Sequence, residues 1–379
     1  MRHLGSAISL LVWLPLVLSV PLALGFLSHL HPFFDSFAHL RIHLAALLIL
    51  LSLPLLASRH WKPGTTALVV ATAALATVLP ASAFFGPNPV NAAGGPDAPR
   101  AVYRLLHLNL RYDSPEHARM LSVVGRANPD AILLNEVSEQ WLPALDRLTA
   151  AYPFRLVCGS ESPYGGVAIL SRRPFDSSRS PSCFGGSLAI ASVNFGGQPV
   201  DLASLHLTWP WPFRQAEEID DLAPELAGLA PSAILLGDLN ATAWSTAVER
   251  VATTGGLTQI RSIRPTWFAI GLPKAMRPWL GLGIDHAFAK GDVVVDQLAI
   301  GPDAGSDHLP LLVEFSLLNG APDGERDRQT ASSLPALPGL RRQDRRPQSP
   351  LSPMMSFSTA PPSPCSLVSK SICRRSNWA

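Results

Sequence analysis

The stretch Ala233-Ile234-Leu235-Leu236-Gly237-Asp238-Leu239-Asn240 narrows most sharply what this chain can fold into. A short apolar run stops at a glycine, and an acid and an amide follow two residues apart. Pro231-Ser232 precede the run and Ala241-Thr242 follow it, which reads as a buried strand between turns. Strand side chains alternate with period two, so Asp238 and Asn240 leave the strand's C-terminal mouth on one face. A carboxylate and a carboxamide placed there can hold a hydrated hard cation, or position a water and a phosphate oxygen. Gly, Asp and Asn are also ordinary turn residues. The rest of the chain decides between the two readings.

From Ala101 onward the same kind of run recurs. Strand-like segments cover Val102 to Leu110, Ala131 to Glu136, Gly165 to Ser171 and Val200 to Leu207, with others near 284–289, 293–300 and 311–317. Helical spacing runs from Ser114 to Ala127, with Ser114 or Asp113 as N-cap and Pro115 at the first position. A second helix is expected near Arg214 to Leu229. Strands outnumber helices and several follow one another directly. An α/β fold with two sheets packed as a sandwich and flanked by helices fits this better than one parallel sheet.

The first ninety residues differ in kind. The chain is 47% hydrophobic and 15% charged, and the apolar excess sits at the N-terminus. Uncharged apolar runs over about 6–26, 42–58 and 65–85 approach or reach the length needed to cross hydrocarbon as helices. A cleaved signal peptide would explain the first run, but not the two behind it. Residues 1–86 are therefore expected to form a membrane domain of three transmembrane helices. Arg2, and Arg59 with Lys62 in the second loop, favour a cytoplasmic N-terminus by the positive-inside bias. Three crossings then place the rest outside the cytoplasm, as in a multi-pass inner-membrane protein with a periplasmic domain. Residues 87–100 read as a Pro/Gly/Asn-rich linker. Residues 319–379 read as a disordered Pro/Ser/Arg-rich tail.

The polar residues that end the apolar runs form a set: Asn109, Glu136, His206, Asp238, Asn240, Asp285, His286, Ser306, Asp307 and His308. Each alone has a plain structural explanation. Their repeated placement where a strand stops does not. The formal net charge of +2 makes no case for a nucleic-acid partner, and no long basic stripe argues for duplex DNA. Four cysteines without CxxC spacing argue against a zinc site. Cys158 and Cys183 are expected as two independent buried thiols, with a bridge as the alternative in an oxidising compartment.

LLHLNL, ILLNEV, GGVAILSR, LASLHL, ILLGDLNAT, GIDHAF and GSDHLP occur in the order found in the endonuclease/exonuclease/phosphatase superfamily, which the chain resembles over roughly residues 101–318. That superfamily includes DNase I-like nucleases, abasic-site endonucleases, inositol polyphosphate 5-phosphatases and neutral sphingomyelinases. HLTWPWPFRQAEE and the apolar N-terminus look like a membrane-anchored bacterial branch. The resemblance implies a four-layered α/β sandwich of two packed mixed sheets flanked by helices, here preceded by the three transmembrane helices.

It also implies roles. Glu136 would be the main carboxylate ligand of Mg²⁺, or Mn²⁺, with Asn109 and Asp307 close to the metal. Asp238 would orient or deprotonate the attacking water, Asn240 would hold a phosphate oxygen, and His206 would contact the phosphate. Asp285 would pair with His308, so that the ring carries a proton and a positive charge. Phosphoryl transfer needs such a set, because positioning and electrostatics do most of the work. Hard oxygen ligands favour Mg²⁺ or Mn²⁺ over zinc. His286 follows Asp285 directly, so on a strand it points the opposite way and is expected to be structural. Trp209 and Trp267 either line a substrate cleft or belong to a loop lid or a bilayer contact.

The function expected is hydrolysis of a phosphodiester in nucleic acid, phospholipid or a soluble compound, with the bilayer as a further partner and no obligate protein partner. A non-catalytic binding module on the same fold is the alternative. Loss of site residues would support it, and none of the set is lost.

Overall fold

The computed structural model describes residues 2–58, 60–79 and 100–318. The linker, the end of the third apolar run and the C-terminal tail expected from the sequence lie outside these residues. In chain order the elements are α1 (Arg2–Leu24), α2 (Pro32–Ala38), α3 (Arg41–Leu56), α4 (Trp61–Val78), β1 (Tyr103–Asn109), α5 (His117–Ala127), β2 (Ala131–Val137), α6 (Leu142–Asp146), β3 (Phe154–Cys158), β4 (Gly166–Ser171), β5 (Ser182–Phe184), β6 (Leu188–Phe195), β7 (Gln198–His206), α7 (Gln215–Asp221), α8 (Ala223–Ala227), β8 (Ala233–Asp238), α9 (Thr246–Gly255), β9 (Thr258–Ile260), α10 (Arg277–Leu280), β10 (Asp285–Lys290), β11 (Val293–Ile300) and β12 (Leu311–Leu317).

The strands form two six-stranded sheets, ordered β11-β12-β1-β2-β4-β3 and β5-β6-β7-β8-β10-β9. Each contains a parallel pair, β1 with β2 and β7 with β8, among antiparallel neighbours. The central core lies between the sheets and joins Leu105, Leu133 and Ile169 of one to Leu202, Ile234 and Leu236 of the other. Leu236→Ala in that layer would cost about 2–5 kcal/mol through the lost contacts and the cavity left behind. Outside the first sheet, Met120 and Val124 of α5 and Trp141 cover Leu106, Leu108 and Ile132. Outside the second, Ile219 of α7, Leu226 of α8 and Val251 of α9 cover Leu205 and Leu235. Helix, sheet, sheet, helix is the four-layered sandwich expected from the alternation.

Local departures have local causes. α5 begins at His117, because the Ser114 hydroxyl donates to Gly305 O at 2.9 Å and accepts from Glu116 N–H instead of capping the helix. The helix expected over 214–229 is two short ones, with Pro224 at the start of the second. Cys158 and Cys183 are disulfide-bonded, and Cys183 lies exposed on the edge strand β5, so the expectation of two buried thiols is corrected. β3, whose last residue is Cys158, and β5 do not share a sheet, so the bridge staples the two sheets together. Gly237 is needed for close approach: a Cβ there would meet Leu205 O at 2.0 Å.

The N-terminal helices invert the usual arrangement. Gly64, Ala67, Ala71, Ala74 and Val78 make a seam of small residues down the buried side of α4, against which α3 packs closely. Trp13, Val17, Leu50, Leu53 and Val69 face outward and are more than half exposed. Among the described residues no single helix is long and apolar enough to cross a membrane. The pair α2 and α3, bent by 53°, meets that test together.

The turn between α1 and α3 is docked on the sandwich. Asp35 accepts from Thr246 N–H at 3.0 Å and Ala247 N–H at 3.1 Å, the first two amides of α9. Ser245 Oγ accepts from the third, Val248 N–H. His39 Nδ1 accepts from Thr242 N–H at 3.2 Å, and Trp244 Nε1 donates to Ala38 O at 2.6 Å. These partners lie in the loop that immediately follows Asn240 and in the first turn of α9.

Candidate active site

Register brings the polar strand ends together. His206 of β7 lies beside Asp238 of β8, and Asp238 lies beside Asp285 of β10, so three candidate residues form one row across the second sheet. From the first sheet, β1 supplies His107 and Asn109, which alternation puts on the same face. β2 supplies Glu136 through an irregularity: Asn135 pairs with Val167 and Val137 with Gly166, which leaves Glu136 unpaired at φ +55°. Such a backbone costs on the order of 1–3 kcal/mol in a residue other than glycine. Here it turns the carboxylate into the space between the sheets' ends. Asn240 is likewise at φ +48°, held by its N–H to Asp238 Oδ1 at 2.8 Å and its side-chain amide to Leu207 O at 2.8 Å.

One half of the site is open. Asn109 Nδ2 donates to Glu136 Oε1 at 2.8 Å and to Asp238 Oδ2 at 2.9 Å, so one amide spans two carboxylates. Its own Oδ1 accepts from Arg111 N–H, and Tyr112 N–H donates to Glu136 Oε2. His206 Nε2 stands 3.8 Å from Glu136 and 3.9 Å from Asp238, and the His206 and Glu136 side chains are 16% and 18% exposed. Glu136, His206 and Asp238 each offer a ligand atom within 4.8 Å of the others. Two hard oxygens and one imidazole nitrogen fit a small divalent cation.

The other half is sealed. Asp285 accepts from His308 Nδ1 at 2.8 Å and lies 3.0 Å from His107 Nε2, with no exposure of either its own side chain or that of His107. Thr266 Oγ1 receives Asp285 N–H from beneath. Burial alone would push the His308 ring toward neutrality, but Asp285 and Asp238 outweigh it and raise its pKa to about 10. Burial likewise pushes the Asp285 carboxyl up, and the two histidines more than reverse this, holding it well below the usual range. Asp238 is raised by burial, only partly offset by His308 at 3.5 Å. Asp238, Asp285 and His308 also converge closely enough for a metal. With both oxygens of Asp285 committed to histidines, that group is an ion-pair chain.

Of the residues expected from the sequence, Asn109, Glu136, His206, Asp238, Asp285 and His308 meet in this cluster. Asp307 stands at its side, where its carboxylate accepts from Trp267 Nε1 at 3.1 Å. Trp209 stacks edge-on against Trp267 with ring centroids 5.8 Å apart. His286 points away and contacts Ala241 O at 2.7 Å, as its place in the strand requires. His107 and Asn135 were not singled out. Asn135 Oδ1 accepts from Asp238 N–H at 2.9 Å and its amide reaches Ser204 Oγ, so it ties the sheets together directly under the site. The available signal for His107 was a polar residue inside an apolar run, two positions before Asn109.

Solved structures of similar fold include a humanized D. rerio TDP2, 23% identical over 57% of this chain and 99% of that one, with a TM-score of 0.45. The endonuclease/exonuclease/phosphatase from Beutenbergia cavernae is 18% identical over 57% of this chain and 72% of that one, at 0.44. Sphingomyelinase C from Streptomyces griseocarneus is 15% identical over 56% and 99%, at 0.43. No curated protein matches the sequence. At such scores the structural likenesses decide nothing, and the assignment rests on the family match. The model of the Endonuclease/Exonuclease/phosphatase family, a family of phosphoester hydrolases, matches residues 91–308, more than half of the sequence, and the chain belongs to that family.

Proposed function

We propose that the protein is a membrane-anchored, divalent-metal-dependent phosphodiesterase with its catalytic domain outside the cytoplasm. The observation that carries the catalytic part is the convergence of Glu136, His206 and Asp238 beside the buried Asp285–His308 pair. Glu136 and Asp238, with His206, would hold Mg²⁺ or Mn²⁺. Such an ion supplies Lewis-acid neutralisation of phosphate oxygens. Asp238 orients the attacking water and accepts its proton. His308, held cationic, stabilises the charge that develops on the equatorial oxygens. Asn240 positions the phosphate at the open side, and Asn109 keeps the two carboxylates from drifting apart. His107 and Thr266 hold Asp285.

The anchoring part is supported by the outward-facing apolar side chains of α1, α3 and α4. The docked turn supports the expected topology: with three crossings, the loop between the first two spans and the chain after the third share one side. The Cys158–Cys183 bridge suits an oxidising compartment.

The test uses the full chain in detergent or vesicles, offered bis-p-nitrophenyl phosphate, single- and double-stranded DNA, RNA and phospholipid. Hydrolysis of one class that vanishes in EDTA and returns with Mg²⁺ or Mn²⁺ is expected, and undiminished activity in EDTA would sink the metal-assisted reading. For the topology, alkaline phosphatase and a cytoplasm-only fluorescent protein are fused separately after residue 320. An active phosphatase fusion is expected, and a bright fluorescent one reverses the orientation.

A further inference from the structure

Two loops beside the site carry features the catalytic reading does not use. Residues 261–281, RSIRPTWFAIGLPKAMRPWLG, contain four basic residues and no acidic one. Residues 270–276 are exposed throughout, including Ile270, Leu272 and Met276, and Trp279 is 79% exposed. The second loop, Thr208-Trp209-Pro210-Trp211-Pro212-Phe213-Arg214, exposes Trp211 and Phe213. Single exposed apolar residues are ordinary, whereas a dense run of them beside cations needs an explanation.

Both loops are tied to the foot of the helical module. Phe33 of α2 packs edge-on against Trp211 with centroids 4.9 Å apart, and Ser36 Oγ donates to Trp211 O. His43, in the first turn of α3, contacts the Gly281 backbone, one residue beyond α10. The loops also meet each other at the site, through the Trp209–Trp267 contact and the bond from Trp267 to Asp307. If the outward apolar faces of α1, α3 and α4 are in hydrocarbon, their foot lies at headgroup depth, where amphipathic aromatic rings are favoured and basic side chains are drawn to anionic lipid.

We infer that these two loops are a second membrane contact, which seats the rim of the active site on the surface of an anionic bilayer. The inference rests on the membrane-anchored reading. Aromatic rings and aliphatic side chains enter the interface, while exposed Arg261 and Arg264 face lipid phosphates and Lys274 is held by Asp303. The open side of the site, at the partly exposed Glu136 and His206, is then held at the plane of the headgroups.

Cys365 and Cys373 are replaced by Ser, and a polarity-sensitive fluorophore is attached at Trp279→Cys, at Ile270→Cys, or at Asn194→Cys on the exposed end of β6 as control. Each protein is reconstituted in phosphatidylglycerol/phosphatidylethanolamine vesicles with and without brominated acyl chains. Retention in the vesicles after alkaline carbonate reports the anchoring. Blue-shifted emission quenched by the brominated lipid is expected at 279 and 270 and not at 194. Arg261→Glu with Arg264→Glu should weaken that quenching, as should phosphatidylcholine in place of phosphatidylglycerol. A retained protein whose label at 279 is as unquenched as that at 194 overturns the second contact and leaves the anchoring intact. A protein extracted by carbonate overturns the anchoring, and the second contact with it.

Discussion

The two halves of the site share Asp238 and differ in nearly everything else. On the open side, Glu136 and His206 keep some contact with water and face each other at 3.8 Å, too far for a hydrogen bond. On the sealed side, Asp285 and His308 are locked at 2.8 Å with almost no exposure. A loosely spaced, hydrated set of donors can exchange an ion with solvent. A dry, closed ion pair cannot, but its fixed charge acts at full strength because no water competes with it. Under the proposed function, that difference divides the labour of the site, with ion recruitment at the mouth and preorganised charge beneath it.

Substitutions test that division. The largest effect is expected at the shared residue: Asp238→Asn should lower kcat by about 10⁴-fold, because it removes both a donor and a proton acceptor. Metal titration of activity is the second readout there. Glu136→Gln should raise the Mg²⁺ concentration needed for half-maximal activity much more than it lowers the rate at saturation. An unchanged metal requirement would erase the distinction between the halves.

On the sealed side, His308→Ala and Asp285→Asn should each cost about 10²–10³-fold. The double variant should cost little more than either, because the two act as one unit. Fully additive losses in kcat would mean that they work separately.

The pH profile sharpens the same point. The folded ring keeps its proton up to about 10, whereas an unfolded one releases it near 6.5. The stability that the ring's proton contributes is therefore complete below the lower value and is lost as pH rises through the upper one. Activity that needs the cation should fall on the same alkaline limb. Asp285→Asn should move that limb to lower pH, and an unmoved limb would assign it to another group.

The smallest expected effect concerns His107. His107→Leu should reduce kcat by roughly tenfold, as losses of supporting partners commonly do, and His107→Gln should restore part of it by giving Asp285 a donor again. Equal activity in both would mean that only shape matters at this position.

The sandwich and the polar strand ends were legible because both depend on local pattern. Short continuous apolar runs give the strands, and those that stop at Asp, Glu, Asn or His give the site position with them. What escaped depended on geometry that the pattern does not encode. Asn135 and Glu136 are adjacent, so alternation assigns them to opposite faces, and the irregularity in β2 that brings both to work cannot be read from ILLNEV. The cysteine bridge spans two sheets, and spacing alone left it open. α9 carries its Ser245 cap and Gly256 stop in plain view, yet no helix is among the elements expected there. The docking of Asp35 and His39 on residues more than two hundred positions away has no sequence signature at all.

That docking has a practical side. The three leading amides of α9 are all taken, two by Asp35 and one by Ser245. A truncated enzyme starting near residue 100, the natural choice for soluble expression, would uncover Trp244 and release two of those amides beside the Asp238–Asn240 turn. Replacing a cap commonly costs about 1 kcal/mol. Here the loss falls next to the turn that carries the candidate residues Asp238 and Asn240, so under the proposed function a trimmed protein can fold, stay in solution and still give a misleadingly low turnover. Screening for substrate with such a fragment would therefore measure the missing α2 turn as much as the chosen phosphoester.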